Sequence, residues 1–316
     1  MSKAAELLAD ARAGKIAQTA RLLSIVENDE PEAAEVIRAT FPQTGRAIKV
    51  GFTGPPGAGK STLVSVLTAA YRSRVPRVAV VAVDPSSPYT GGAILGDRIR
   101  MRDRYLDTGV FIRSMSNRGQ SGGLARATRR VVSVLDALGF DVILVETVGV
   151  GQQEIDVARV VDTVCLLTIP GAGDDIQAIK AGIIEIADIL VVNKADRPGA
   201  DEAVKDLRQM LNLGTPRNDW RTPVLKTSSQ ANTGIDELIA AVQQHRDWAA
   251  KSGEAQRRIA DAMRSEIQAL LRERVLRDLA RRMDPQSLDN VVALVAEKRL
   301  DPYGAVEELL GPEKDQ

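Results

Sequence analysis

Gly54-Pro55-Pro56-Gly57-Ala58-Gly59-Lys60-Ser61-Thr62 is the stretch that decides the fold of this chain. It fits the spacing G-x-x-x-x-G-K-[ST] of a phosphate-binding loop. An apolar run, Ile48 to Thr53, precedes it and predicts a strand; Leu63 to Ala70 follow and predict a helix. Strand, loop and helix in that order are the context the spacing requires. Glycines let backbone N–H groups converge on phosphate oxygens. The helix N-terminus adds partial positive charge. Lys60 would reach the β- and γ-phosphates, and Ser61 would hold Mg²⁺.

Outward from the loop, residues 47–250 alternate strand and helix. The runs 47–53, 77–84, 109–114, 141–146, 162–169, 188–193 and 223–227 are short and rich in Val, Ile and Leu, mostly without clean alternation. Strands buried on both faces read this way. Helical stretches such as 122–138, 199–212 and 235–250 separate them. Repeated βα units predict an α/β fold, a mostly parallel doubly wound sheet with helices on both faces. Ligands in such sheets bind at the carboxyl ends of the strands.

Helical patterns flank this core. Residues 2–41 carry apolar positions at helical spacing, and Asp29-Glu30-Pro31 predicts a helix start with proline in its first turn. Residues 254–310 are helical again: Ile259, Met263, Ile267, Leu270, Leu271, Val275, Leu279 and Met283 recur every three or four residues. Such a helix either packs back on the core or pairs with another subunit, and the length of its apolar stripe favours pairing. The expected organisation is a helical extension over 1–44, a P-loop domain over 45–250 and a helical arm over 251–316 that would make a homodimer.

Composition excludes several classes. Lys+Arg and Asp+Glu both number 42, so the chain has no basic footprint for nucleic acid or an acidic membrane. No run of about 18 apolar residues predicts a membrane span. The first residues lack the apolar stretch of a secretory signal, so the expected location is cytoplasmic. Cys165 and His245 are the single cysteine and histidine, which rules out an internal disulfide and a Cys/His metal site within one chain. Cys165 reads as a core residue of a buried strand. His245 reads as a surface or packing residue, not a catalytic base.

Asn193-Lys194-Ala195-Asp196 ends a buried strand with N-K-x-D, a pattern that reads guanine. A carboxylate at Asp196 accepts from guanine N1–H and the 2-amino group together. Adenine offers neither donor and would leave the carboxylate unpaired. Asn193 would brace the loop, and the alkyl stem of Lys194 would lie along the base. Thr227-Ser228-Ser229-Gln230 follows another short strand and can present a backbone N–H to guanine O6.

Val80 to Asp84 is a strand ending in a carboxylate, followed by a Gly/Ser/Pro-rich loop to Asp97. Loops of this kind in compact domains are commonly functional. Asp84 or Asp97 would hold Mg²⁺, directly or through water. The competing reading has Asp84 cap a turn before Pro85 and Asp97 cap the helix that follows. Val142 to Gln152 occupies the Walker B and second-switch position. Glu146 would bind Mg²⁺ through water or orient the attacking water. Gly149 could approach the γ-phosphate, and Gln152 or Gln153 could position water. Lys60, Glu146 and Asp97 are thus the expected catalytic set. Residues 170–180 form another glycine-containing charged loop, either a segment that moves with nucleotide state or a plain βα connection.

Taken together, the motifs at 54–62, 83–88 (Val-Asp-Pro-Ser-Ser-Pro), 91–98 (Gly-Gly-Ala-Ile-Leu-Gly-Asp-Arg), 146–152 (Glu-Thr-Val-Gly-Val-Gly-Gln) and 193–196 resemble those of the methylmalonyl-CoA mutase-associated GTPases. These are the MeaB/ArgK group of the SIMIBI class of P-loop proteins. The resemblance spans nearly the whole chain. It implies a homodimeric GTPase that binds GTP or GDP with Mg²⁺. It also implies a chaperone role, gating adenosylcobalamin loading into methylmalonyl-CoA mutase and protecting that enzyme. Nucleotide contacts carry over to Gly54, Pro55, Pro56, Gly57, Ala58, Gly59, Lys60, Ser61 and Thr62, to Asn193, Lys194 and Asp196, and to Ser228, Ser229 and Gln230. Metal and switch carboxylates carry over to Asp84, Asp97 and Glu146, and a third switch to the 170–180 loop. The departure is Ser229, where the group usually has alanine; a backbone contact to O6 survives that change.

Three other readings compete. A metal-insertion GTPase shares the fold but needs Cys/His ligands, which here could come only from a site shared across a dimer. A kinase of a transport-binding protein would need ATP, against which Asp196 argues. A scaffold with a degenerate loop is opposed by the intact Lys60, Ser61 and Glu146.

Overall fold

The computed structural model describes residues 3–85, 107–117, 123–147, 157–171, 184–213, 219–282 and 285–310. The chain divides into two compact units, Met1–Arg258 and Ile259–Gln316. Among the described residues the first unit holds a seven-stranded parallel sheet. Its strands are β1 (Ile48–Thr53), β2 (Val78–Pro85), β3 (Val110–Asn117), β4 (Val142–Thr147), β5 (Thr163–Thr168), β6 (Ile189–Val192) and β7 (Val224–Lys226). They lie in the order β3-β2-β4-β1-β5-β6-β7. From β1 the chain moves out to β2 and β3, returns to β4 beside β1, and then crosses to β5, β6 and β7 on the other side, so the loop after β1 stands beside the switch point of the sheet.

The two-faced burial expected of these strands is what the packing uses. Every residue of β4 and β5 is buried. Val142 and Leu144 of β4 pack with Leu63 and Leu67 of α4 (Lys60–Arg72) and Leu238 and Val242 of α7 (Ile235–Ser252). Ile143 and Val145 turn to the other face. There they meet Val131 and Leu135 of α5 (Gly123–Ala137) and Leu22 and Val26 of α2 (Ile16–Glu27). A third cluster joins Leu190 and Val192 of β6 to Ala203 and Leu207 of α6 (Ala200–Leu213). Each such side chain removed from water contributes about 1.5–3 kcal/mol.

The N-terminal helices α1 (Lys3–Arg12), α2 and α3 (Ala33–Thr40) belong to this core through Leu8, Leu22, Val26 and Val36. Helix α3 begins two residues beyond Pro31, later than the sequence suggests. Asp29 adopts φ 52°, a left-handed turn residue, so the helical phase starts only after that turn closes. The entry to β1 is fixed by Asp136 of α5. Its carboxylate accepts from the N–H groups of Gly45, Arg46 and Ala47 at 2.7, 3.0 and 3.0 Å. Burial alone would raise its pKa, but Lys49 Nζ at 3.0 Å and these amides hold it below the usual carboxylate range.

At the amino ends of β5 and β6 a second buried carboxylate gathers four segments. Asp188 accepts from both Nη atoms of Arg258 at 2.9 and 2.7 Å and from Val164 N–H at 2.9 Å. Its backbone carbonyl accepts from Trp220 Nε1 at 2.8 Å. His245 is fully buried here: its Nδ1 meets Thr163 Oγ1 at 2.8 Å, and its ring stacks on Trp248 with centroids 5.7 Å apart. The packing reading of His245 holds, and the surface reading does not.

Helix α8 (Glu254–Arg282) starts in the first unit and continues into the second, which adds α9 (Pro285–Ala296) and α10 (Pro302–Leu310). Val291 and Ala305 are buried within this unit, while Ile267, Leu270, Leu271, Val275 and Leu276 of α8 stay exposed. No helix among the described residues is long and apolar enough to cross a membrane.

Candidate functional site

Register brings the predicted loops to one edge of the sheet. Phe52 lies opposite Glu146, Thr168 opposite Val192, and Val192 opposite Lys226. The phosphate loop after β1, Glu146 near the end of β4, the Asn193 turn after β6 and the Thr227 turn after β7 are therefore neighbours.

The glycines of the loop answer to packing as well as torsion. Gly54 sits at φ 140°, and a Cβ there would overlap the Leu167 carbonyl of β5. Gly59 is the N-cap of α4 at φ 83°, and a Cβ would come within 2.6 Å of Asn193 Nδ2. The loop is thus pressed onto β5 and the Asn193 turn, with Pro56 and Gly57 left exposed. Helix α4 opens directly behind it, which gives the aligned N–H groups and dipole of an anion site.

Lys60 is 7% exposed, and its Nζ donates to the carbonyls of Gly54 at 2.7 Å and Pro55 at 2.9 Å. Ser61 Oγ donates to Glu146 Oε1 at 2.5 Å, with both side chains buried. A hydroxyl and a carboxylate oxygen side by side are donors suited to a hard cation such as Mg²⁺. Thr62 is exposed on the outer face of the helix.

The turns after β6 and β7, expected from the sequence to read the base, are tied to this loop. Asn193 is 1% exposed; its Nδ2 donates to Ala58 O at 2.9 Å. Its Oδ1 accepts from Thr227 Oγ1 at 3.1 Å and from Ser229 Oγ at 3.3 Å. Lys194, at φ 56°, donates from Nζ to Gly57 O at 2.7 Å, so its ammonium lies on the phosphate loop. Ala195 N–H donates to Thr227 O at 2.9 Å and joins the two turns. Asp196 is exposed and accepts from Ser228 Oγ, a bond that holds its carboxyl below the usual carboxylate range. Ser228 and Thr233 exchange backbone bonds of 3.0 and 3.1 Å that close the second turn, with Gln230 exposed at its tip.

Asp84 lies one residue before the end of β2, opposite Ser116, and only its backbone is described. Asp97, Gly149, Gln152, Gln153 and residues 172–180 lie outside the described residues. Sequence reasoning missed Asp188 and Asp136. Asp188 offers one local signal, an acid just before an apolar run, and Asp136 sits within a helix; their partners lie as far as 70 and 91 residues away.

The site combines a glycine-rich loop at a helix N-terminus, a buried hydroxyl–carboxylate oxygen pair and an exposed carboxylate at Asp196. A family model described as the methylmalonyl-CoA mutase-associated GTPase MeaB matches residues 19–284. A Pyrococcus abyssi protein described as a GTPase is 46% identical over 308 residues, 96% of this chain and 95% of its own length. GTPase ArgK of Escherichia coli is 38% identical over 261 residues, 80% of this chain and 78% of its own. The solved structure of a LAO/AO transport system kinase matches with a TM-score of 0.71 at 29% identity, covering 98% of this chain and 97% of its own.

Proposed function

The chain belongs to the methylmalonyl-CoA mutase-associated GTPases, and from that premise we propose that it is a nucleotide-dependent switch acting on a client mutase. GTP or GDP would lie across the edge of the sheet, its phosphates in the loop Gly54–Thr62 and its guanine between Lys194, Asp196 and the turn at Ser228, Ser229 and Gln230. One observation carries this reading: Asn193 holds the phosphate loop through Ala58 O while Asp196, three residues on, is aimed by Ser228. Base and phosphate recognition thereby form one hydrogen-bonded unit.

Mg²⁺, when bound, would neutralise phosphate charge. Ser61 and Glu146 would hold it, with Asp84 and Asp97 as the further carboxylates. Lys60 would leave the loop carbonyls for the β- and γ-phosphates and stabilise charge that builds up there during hydrolysis. In its client role the protein would gate adenosylcobalamin loading and protect methylmalonyl-CoA mutase. The exposed apolar residues of α8 support a homodimer through the arm beyond residue 251. The expected compartment is the cytoplasm.

The test is capture of methylmalonyl-CoA mutase by this chain loaded with GDP or a non-hydrolysable GTP analogue, together with GTP turnover with and without the mutase. Equal capture in both states and unchanged turnover would remove the client assignment. The alternative, phosphate transfer to a transport-binding protein, draws on the description of the solved kinase structure. It requires ATP, so faster turnover of ATP than of GTP would favour it.

A further inference from the structure

We infer that Ser229 is a positioning residue for the guanine base, its hydroxyl coupling the donor amides of the base-reading turn to the phosphate loop through Asn193. The inference rests on the guanine-site reading above and adds to it a role for the Ser229 hydroxyl, which bonds Asn193.

The hydrogen-bonding capacity of one amide sets the geometry here. Asn193 has two N–H donors and one carbonyl oxygen with two lone pairs. The oxygen accepts from Thr227 Oγ1 at 3.1 Å and Ser229 Oγ at 3.3 Å, which fills it. The nitrogen donates to Ala58 O at 2.9 Å, with a longer approach of 3.5 Å to Gly59 O. Donation to the Ala58 carbonyl fixes which way round the amide lies. Asn193 is itself anchored, since its N–H donates to Thr168 O of β5 at 2.8 Å. It is a rigid joint with the phosphate loop on one side and the base turn on the other.

The base turn has six hydroxyl or backbone amide groups to place, on residues 228–231. Ser228 N–H is committed to Thr233 O at 3.0 Å, and Ala231 N–H to Ser228 Oγ at 3.1 Å. Ser228 Oγ in turn donates to Asp196. Among the described residues the N–H groups of Ser229 and Gln230 take no partner, so they are the donors available to a carbonyl such as guanine O6. The bridge between Ser228 and Thr233 closes the turn on its far side. On the near side the Ser229 hydroxyl is the bond that ties this donor pair to the joint. Removing it leaves Asn193 Oδ1 with Thr227, so no buried acceptor is orphaned and the loss falls on the position of the turn.

The experiment is nucleotide release from the full chain, followed with tritium-labelled GDP and with 6-thioguanosine diphosphate. The second nucleotide keeps the N1–H and 2-amino donors to Asp196 and carries sulfur, a weaker acceptor, in place of O6. Ser229→Ala is expected to speed GDP release about three- to tenfold, the span set by one ordinary hydrogen bond. Release of the 6-thio nucleotide should change far less, so the preference for GDP narrows. Unchanged GDP release would overturn the inference. Equal acceleration of both nucleotides would also overturn it, because that pattern marks general loosening of the fold. Failure of the wild-type chain to bind GDP at all would sink the guanine-site reading itself, an outcome distinct from the other two.

Discussion

Asp188 and Asn193 bracket the same four-residue strand, Ile189–Val192, and each side chain holds a different part of the molecule. Asp188 grips Arg258 at the root of α8, and Asn193 grips the Ala58 carbonyl of the phosphate loop. A strand this short, buried along its length and hydrogen-bonded on both sides, has little freedom to bend between its ends.

Arg258→Ala should destabilise the chain by about 3–5 kcal/mol, because it leaves the Asp188 carboxylate buried with the Val164 N–H and the His245 ring but without its guanidinium partner. Urea unfolding at pH 7 measures this. Burial raises the Asp188 pKa, but the bonds from Arg258 and the contact with His245 outweigh it and bring the carboxyl down to about 2. A depressed carboxyl stabilises the fold fully above its unfolded value near 3.9 and loses that contribution as pH falls toward 2. In the Arg258→Ala protein the acid limb of the stability profile should move to higher pH. An acid limb coinciding with that of wild type would show that another group controls it.

Lys60→Ala should lower GTP turnover by about a hundredfold or more while the far-ultraviolet spectrum stays that of the folded chain. The side chain packs among backbone carbonyls of its own loop and not within the apolar clusters, so its loss is expected to spare the core. Phosphate release under saturating GTP is the readout. Turnover within twofold of wild type would refute the role given to this lysine.

Asp196→Asn exchanges an acceptor pair for an amide that can donate. GDP affinity should drop by about a hundredfold or more, and xanthosine diphosphate, which carries a carbonyl where guanine has its amino group, should bind better than to wild type. Titration calorimetry with the two nucleotides checks both directions. The exposure of Asp196 and its bond to Ser228 make the exchange mild for the fold.

Cys165 should resist a thiol reagent at pH 8 in the folded chain and react fully after denaturation. It is completely buried in β5, and burial, with the Asp188 charge behind it, raises its thiol pKa well above the ordinary value. Modification of the native protein on the minute timescale would contradict this placement.

The sheet was legible because its central strands, β4, β5 and β6, are buried on both faces, which writes a nearly continuous apolar run into the sequence. Each of the seven runs read as a strand overlaps one found in the structure. The phosphate loop and the Asn193–Asp196 turn were legible because backbone geometry and base chemistry demand particular residues at fixed spacing. The clasp at Asp188 was not. Its bonds to Arg258 span 70 residues, and a lone acid or arginine has no periodicity to betray a distant partner. The turn at Asp29 escaped for a local reason: Pro31 satisfies a helix start equally well one residue inside or two residues ahead of it. His245 was ambiguous because helical spacing alone does not say which helix face meets Thr163 and the two tryptophans.

Trp220 and Trp248 are the chain's two tryptophans, and their rings lie 5.4 Å apart beside His245. All intrinsic indole emission therefore originates at the amino ends of β5 and β6, where the imidazole stands within quenching range. Light collected near 340 nm reports the Asp188 clasp, and the phosphate loop is dark to it. The wild-type chain thus carries a ready optical gauge for the root of α8, and an excitation-transfer donor in one known place should a fluorescent nucleotide be supplied at the opposite edge of the sheet.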